Sequence, residues 1–86
     1  MIINLRKLLD LPVYTESGAK LGKIFDFELD IENHFVLRYL VRPNFISLQN
    51  FLIQSAQVQK ITNDRMIVDD AVVKAKKTAP TIVSEE

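Results

Sequence analysis

The stretch that decides the fold is Gly18–Pro43, GAKLGKIFDFELDIENHFVLRYLVRP. It carries the one long period-two pattern in the chain. From Phe25 to Glu32 apolar and acidic residues alternate without a break: Phe25, Phe27, Leu29 and Ile31 on one side, Asp26, Glu28, Asp30 and Glu32 on the other. This is the alternation of a half-buried strand. Phe35–Arg42 is rich in β-formers and stops at Pro43, which has no N–H for a ladder. Together the two runs predict a β-hairpin.

Its register follows from matching apolar with apolar, because residues directly opposite each other share a face. A two-residue loop at Asn33 and His34 sets Leu29 against Arg38 and wastes the core. A three-residue loop, Glu32 to His34, pairs Ile31 with Phe35, Leu29 with Leu37, Phe27 with Tyr39 and Phe25 with Val41. All eight then lie on one face, the core side. On the opposite face Glu28 meets Arg38, a pair worth roughly a few tenths of a kcal/mol. In such a loop His34 takes the left-handed conformation, which histidine tolerates better than most residues.

Upstream, the hairpin's first strand begins at Leu21, and Gly22 beside it marks a bulge or a close backbone approach. Ile24 and Phe25 are adjacent apolar residues, a phase slip that a bulge or two-sided burial near Gly22 explains. Glu16, Ser17 and Gly18 form a turn in which Gly18 supplies a positive φ, and Val13–Thr15 is the first strand. Pro12 ends a helical turn over Leu5–Leu8 that Asn4 caps, with Leu5, Leu8 and Leu9 toward the core.

Downstream, Asn44–Asn50 reads as an extended connection pairing at its edges, followed by strands at Phe51–Ile53, Val58–Ile61 and Met66–Val68. Gln54–Gln57 bends the chain between the first two, and Thr62, Asn63 and Asp64 turn it before the last. Six short strands with little helix predict an all-β fold: a small antiparallel six-stranded barrel, whose closure removes exposed edges. Residues 1–70 form this barrel, opened by the short N-terminal turn. Residues 71–86 form a short helix and flexible tail. The helix runs over Ala71–Lys77, with Asp69 or Asp70 at its start and Lys74, Lys76 and Lys77 at its end. Pro80 ends it, and Thr81–Glu86 is a mobile tail, or Thr81–Val83 adds to a sheet edge.

Composition narrows the function classes. A chain of 86 residues is one small domain that buries little more than about 60% of its unfolded surface, so a partner or a second copy is expected. Eleven basic and eleven acidic residues cancel, which removes any bulk attraction to nucleic acid or anionic lipid. The absence of cysteine excludes disulfides and thiolate metal sites. No signal-peptide core and no run of about 20 apolar residues is present, so no membrane span and a cytoplasmic location are expected.

Chemistry-bearing groups are few. Asp26, Glu28, Asp30 and Glu32 lie about 7 Å apart along a strand and do not converge as a cation site needs. They read as a solvated face. His34 is the sole histidine and has neither a nucleophile nor a second ligand beside it. Asp64, Asp69 and Asp70 lack the spacing and the glycine of a calcium loop, Lys74, Lys76 and Lys77 read as a solvated helix end, and no Gly-rich phosphate loop exists. No catalytic residue, metal site or cofactor is expected. On the hairpin face opposite the core side, Ile24, Val36 and Leu40 interrupt charged residues that include Arg38, Arg42, Asp26 and Glu28. An apolar cluster rimmed by charge is the composition of a contact surface.

The order LPVYTESGAKLGKIFDFELD, turn, HFVLRYLVRP, then FLIQSAQVQKITNDRMIVDD resembles the PRC-barrel family. The matching positions are Val13, Gly18, Leu21, Gly22, Lys23, Ile24, Asp26, Ile53, Val58, Ile61, Ile67, Val68 and Asp69, within Leu5–Asp70. Gln54 departs from a proline common in relatives, and Asn33 with His34 replaces a turn glycine. PRC-barrels occur in the photosynthetic reaction-centre H subunit, in the bacterial ribosome maturation factor and as stand-alone proteins. The resemblance implies a non-enzymatic adaptor, and the apolar cluster rimmed by charge makes the outer face of the 21–42 hairpin the surface through which it is expected to bind another protein, or itself as a homodimer. The residues expected to carry this contact are Ile24, Val36, Arg38, Leu40 and Arg42. The alternative that it implies is a ribosome-associated RNA-processing or maturation factor docking on a small-subunit protein. Direct nucleic-acid contact is not expected without a basic face and stacking rings.

Overall fold

A computed structural model describes residues 1–44 and 50–72. The connection expected over Asn44–Asn50 lies, apart from its end residues, outside the described residues; so does the C-terminal helix beyond Val72, together with the tail.

The first element is a single helical turn, α1 (Leu5–Leu8), whose N-cap Asn4 accepts a hydrogen bond from Lys7 N at 2.9 Å. Strand β1 (Pro12–Thr15) follows, then the hairpin strands β2 (Lys20–Asp30) and β3 (Phe35–Arg42). Strand β4 (Phe51–Gln54), a 3-10 turn (Ser55–Gln57), β5 (Val58–Ile61) and β6 (Met66–Val68) complete the order. The strands form one sheet in the order β4-β3-β2-β1-β6-β5.

Two features correct the expected antiparallel closed barrel. β1 and β6 run parallel, with Val13 opposite Met66 and Thr15 opposite Val68. In addition β4 and β5 are the two edges of the sheet rather than a pair. The physical reason for the second is local. The 3-10 turn joins the two edge strands directly, so the chain spends at a corner the residues that a β4–β5 ladder would use. Side chains hold that corner instead: Ser55 Oγ donates to the carbonyl oxygens of Val36 and Leu37 on β3, and Gln57 Oε1 accepts from Gln54 N at 2.9 Å. Parallel pairing of β1 with β6 reflects the long path between them, which returns the chain to the free side of β1 in the same direction.

The hairpin register differs from the apolar-matched one. Phe27 opposes Tyr39 and Glu28 opposes Arg38 as expected, but Ile24 opposes Val41, Leu29 opposes Val36 and Asp30 opposes Phe35. Register shifts between Ile24 and Asp26 and between Glu28 and Leu29 leave Phe25 and Leu37 as extra residues. A third shift, against β1, leaves Leu21 extra beside Gly22. Each bulge reverses the facing of the residues beyond it. The loop has four residues, Ile31–His34, closed by His34 N donating to Asp30 O at 2.8 Å, with His34 at φ 58° as the sequence predicts.

The core is therefore built from Leu8, Leu11, Val13, Leu21, Ile24, Tyr39, Val41, Phe51, Ile53, Met66, Val68 and Val72. Phe27 and Val36 pack at its margin. Leu29, Ile31 and Phe35, expected on the core side, are 47%, 65% and 48% exposed. The hairpin is longer than its neighbours and reaches beyond the body they enclose.

Candidate functional site

From Arg38 to Arg42 strand β3 alternates strictly. Tyr39 and Val41 enter the core, and Arg38, Leu40 and Arg42 take the other face, half-buried. β4 repeats the pattern, with Phe51 and Ile53 buried and Leu52 half-buried directly opposite Leu40. Leu40 and Leu52 thus form an apolar pair on the outer surface of two adjacent strands. Asp26 opposes Leu40 from β2.

The rim of this pair is charged and ordered. Arg38 Nη1 lies 3.1 Å from Glu28 Oε1. Its Nε is buried and has no hydrogen-bond partner among the described residues. The Arg42 guanidinium stacks 4.2 Å from the centroid of the Phe25 ring, a cation–π contact. The bulge at Phe25 creates that contact by turning the ring outward. Leu52 and Phe25 were not singled out from sequence: Leu52 sits in a short apolar run with no periodicity, and Phe25 reads as a core residue unless the bulge is known.

Two of the five residues expected on this face are elsewhere. Ile24 is fully buried, because the extra residue at Phe25 restores it to the core phase. Val36 packs against the core margin, because it lies beyond the bulge at Leu37.

Beside Arg42 an open groove of about 620 Å³ runs along Leu9, Asp10, Lys20, Lys23, Phe25 and Pro43. Its charges are three cations, Lys20 and Lys23 on β2 and Arg42 on β3, and one carboxylate, Asp10. Elsewhere, Asp30 is held below the usual carboxylate range by hydrogen bonds from Asn33, first from its side chain and then from its backbone. Asp70 is lowered likewise by the backbone N–H and the hydroxyl of Ser17, at 3.1 and 3.0 Å. Burial pushes the Tyr39 hydroxyl up. Asp30 is a local turn tie and Asp70 a long-range tie to the turn at Ser17, and neither lines the groove. Among the described residues no three His, Cys, Asp or Glu side chains gather as a metal site would require, and no helix is long and apolar enough to cross a membrane.

Gly22 decides how this face is positioned. At φ 144° it lies where β2 crosses the end of β3, so close that a Cβ there would stand 2.1 Å from the Arg42 carbonyl oxygen. The Leu-Gly-Lys segment, the bulged hairpin and the six-strand order coincide with the match of the PRC-barrel domain family model, which covers residues 1–73. The chain belongs to the PRC-barrel domain family. In this PRC-barrel the family match spans α1, all six strands and the first residues after β6. No curated protein matches the chain by sequence.

Proposed function

We propose that this PRC-barrel is a non-enzymatic, cytoplasmic protein-binding module that engages another protein, or a second copy of itself, through the outer face of the β2–β3 hairpin. The observation that carries the reading is the Leu40–Leu52 pair on that face, bordered by Arg38 and Arg42. An apolar centre within a charged rim, with arginine prominent, is the composition of contact surfaces whose central residues dominate affinity. Membership of a family built around a packed barrel supports binding rather than chemistry.

The test compares wild type with Leu40→Asp. Affinity capture from native lysate, with light scattering of the purified chains, is expected to show a partner or a dimer for wild type and its loss in the variant. Retention of small-subunit ribosomal proteins instead identifies the alternative partner, and equal recovery by both chains removes this face from the account.

A further inference from the structure

β2 has a second side. Its first part is taken on this side: β1 pairs with Lys20, Gly22 and Lys23, and Ile24 exchanges hydrogen bonds with Asp10 N (2.8 Å) and Leu11 O (3.1 Å). At Asp10 the chain takes φ 77° and turns away into α1. From there to the hairpin tip, no described strand pairs with the edge of β2 that faces away from β3.

The backbone groups on that edge can be identified. In an antiparallel strand the N–H and C=O of one residue point to the same side, and successive residues alternate. Asp30 O accepts from His34 N, so Asp30 points toward β3. Glu28 and Asp26 share its parity. Phe27 and Leu29 therefore point outward. Phe27 confirms this: its N–H donates at 2.8 Å to the exposed carboxylate of Asp26, a side chain of its own strand, rather than to β3. Leu29 is exposed and has no such stand-in among the described hydrogen bonds. Among the described residues this is an open strand edge carrying Asp26, Glu28 and Asp30 on one face and Phe27 and Leu29 on the other.

Charge selects its occupant. If a second copy paired its own β2 edge antiparallel here, Phe27 would oppose Leu29, Glu28 would face Glu28 and Asp26 would face Asp30. Like charges directly opposite are destabilising. A strand alternating basic and apolar residues has the complementary pattern: cations opposite the three carboxylates, apolar side chains beside Phe27 and Leu29. We infer that the free edge of β2 binds an extended lysine- or arginine-containing segment of a partner protein by β-strand addition. The inference rests on the protein-binding reading but uses the strand edge that adjoins that face rather than the Leu40–Leu52 pair. On binding, the partner's carbonyl replaces the Asp26 carboxylate on Phe27 N–H, and Asp26 is released to pair with a cation.

The probe is an N-acetylated peptide of alternating lysine and valine, added to the full chain and followed by amide hydrogen exchange. The expected result is exchange slowed by about tenfold or more at Phe27 and Leu29 and unchanged at Glu28, with binding that weakens as salt rises. Leu29→Pro removes only an outward donor, which an edge tolerates, and is expected to abolish binding with its spectrum otherwise preserved. Should that variant misfold, Asp26→Lys serves instead: it is expected to lose the lysine–valine peptide by about tenfold or more. Leu40→Asp is expected to bind the peptide as wild type does. Peptide binding lost in Leu40→Asp but kept in Leu29→Pro overturns the edge and leaves the outer-face reading standing. Equal binding of a glutamate–valine peptide, or no protection at Phe27 and Leu29, also overturns it.

Discussion

Gly22 and Asp10 are the two residues whose backbones set the hairpin in place. A Cβ at Gly22 would stand 2.1 Å from Arg42 O and 2.6 Å from Arg42 C, and both are backbone atoms that no rotamer change can move. Gly22→Ala is expected to cost about 3 kcal/mol or more, combining a forced φ with a main-chain clash, and chemical denaturation measures it directly. Asp10 has the opposite sign. It holds φ 77° with a Cβ that this region penalises. Asp10→Gly is expected to raise stability by up to about 1 kcal/mol, seen as a higher urea midpoint at unchanged slope.

At the scale of elements, the bulges divide what was legible in the sequence from what was not. Strand limits were legible because β-formers and turn residues mark them: β3, β5 and β6 span the stretches read from sequence, and Gly18 and His34 adopt the positive φ expected of them. Facing was not, because a period-two pattern counts a bulged residue like any other. Phe25–Ile31 alternates perfectly in sequence, yet Phe25 is an inserted residue in the ladder, and Ile24 takes the core position opposite Val41. Of the proposed contact residues, Arg38, Leu40 and Arg42 lie on the outer face because no bulge falls among them; Ile24 and Val36 each lie beyond one. The contrast is measurable. Ile24→Ala is expected to cost about 2–5 kcal/mol as a core truncation. Ile31→Ala, at the exposed tip, should stay within about 0.5 kcal/mol of wild type. Comparable costs at the two sites would mean that the tip is packed and the phase is misassigned.

Over the whole molecule, the β1–β6 parallel pair binds the first strand to the last of the described strands. Nothing local in Val13–Thr15 or Met66–Val68 distinguishes a parallel from an antiparallel partner, which is why sequence alone favoured the wrong sense. Ser17 and Asp70 extend that closure beyond the ladder: both the N–H and the hydroxyl of Ser17 donate to Asp70 Oδ1. Asp70 and Asp30 are both held below their ordinary value of 3.8. A carboxylate whose folded pKa is depressed stabilises the protein above the unfolded value, and that stability disappears as pH falls through the folded one. Stability is therefore expected to decline as pH drops below about 4. Asp70→Asn should flatten this decline while lowering the midpoint at neutral pH. An unaltered acid limb in that variant would show that the Ser17 tie contributes nothing.

The central claim is that the outer face of the hairpin is a binding surface rather than buried core, and Leu40→Asp tests it in one comparison of stability and association. The expected result is a folded variant destabilised by about 1–2 kcal/mol, as for a half-buried position whose new carboxylate faces Asp26, together with loss of the partner or dimer that wild type retains. Collapse of stability in the variant would place Leu40 in the core, and undiminished association by a folded variant would contradict the proposed surface.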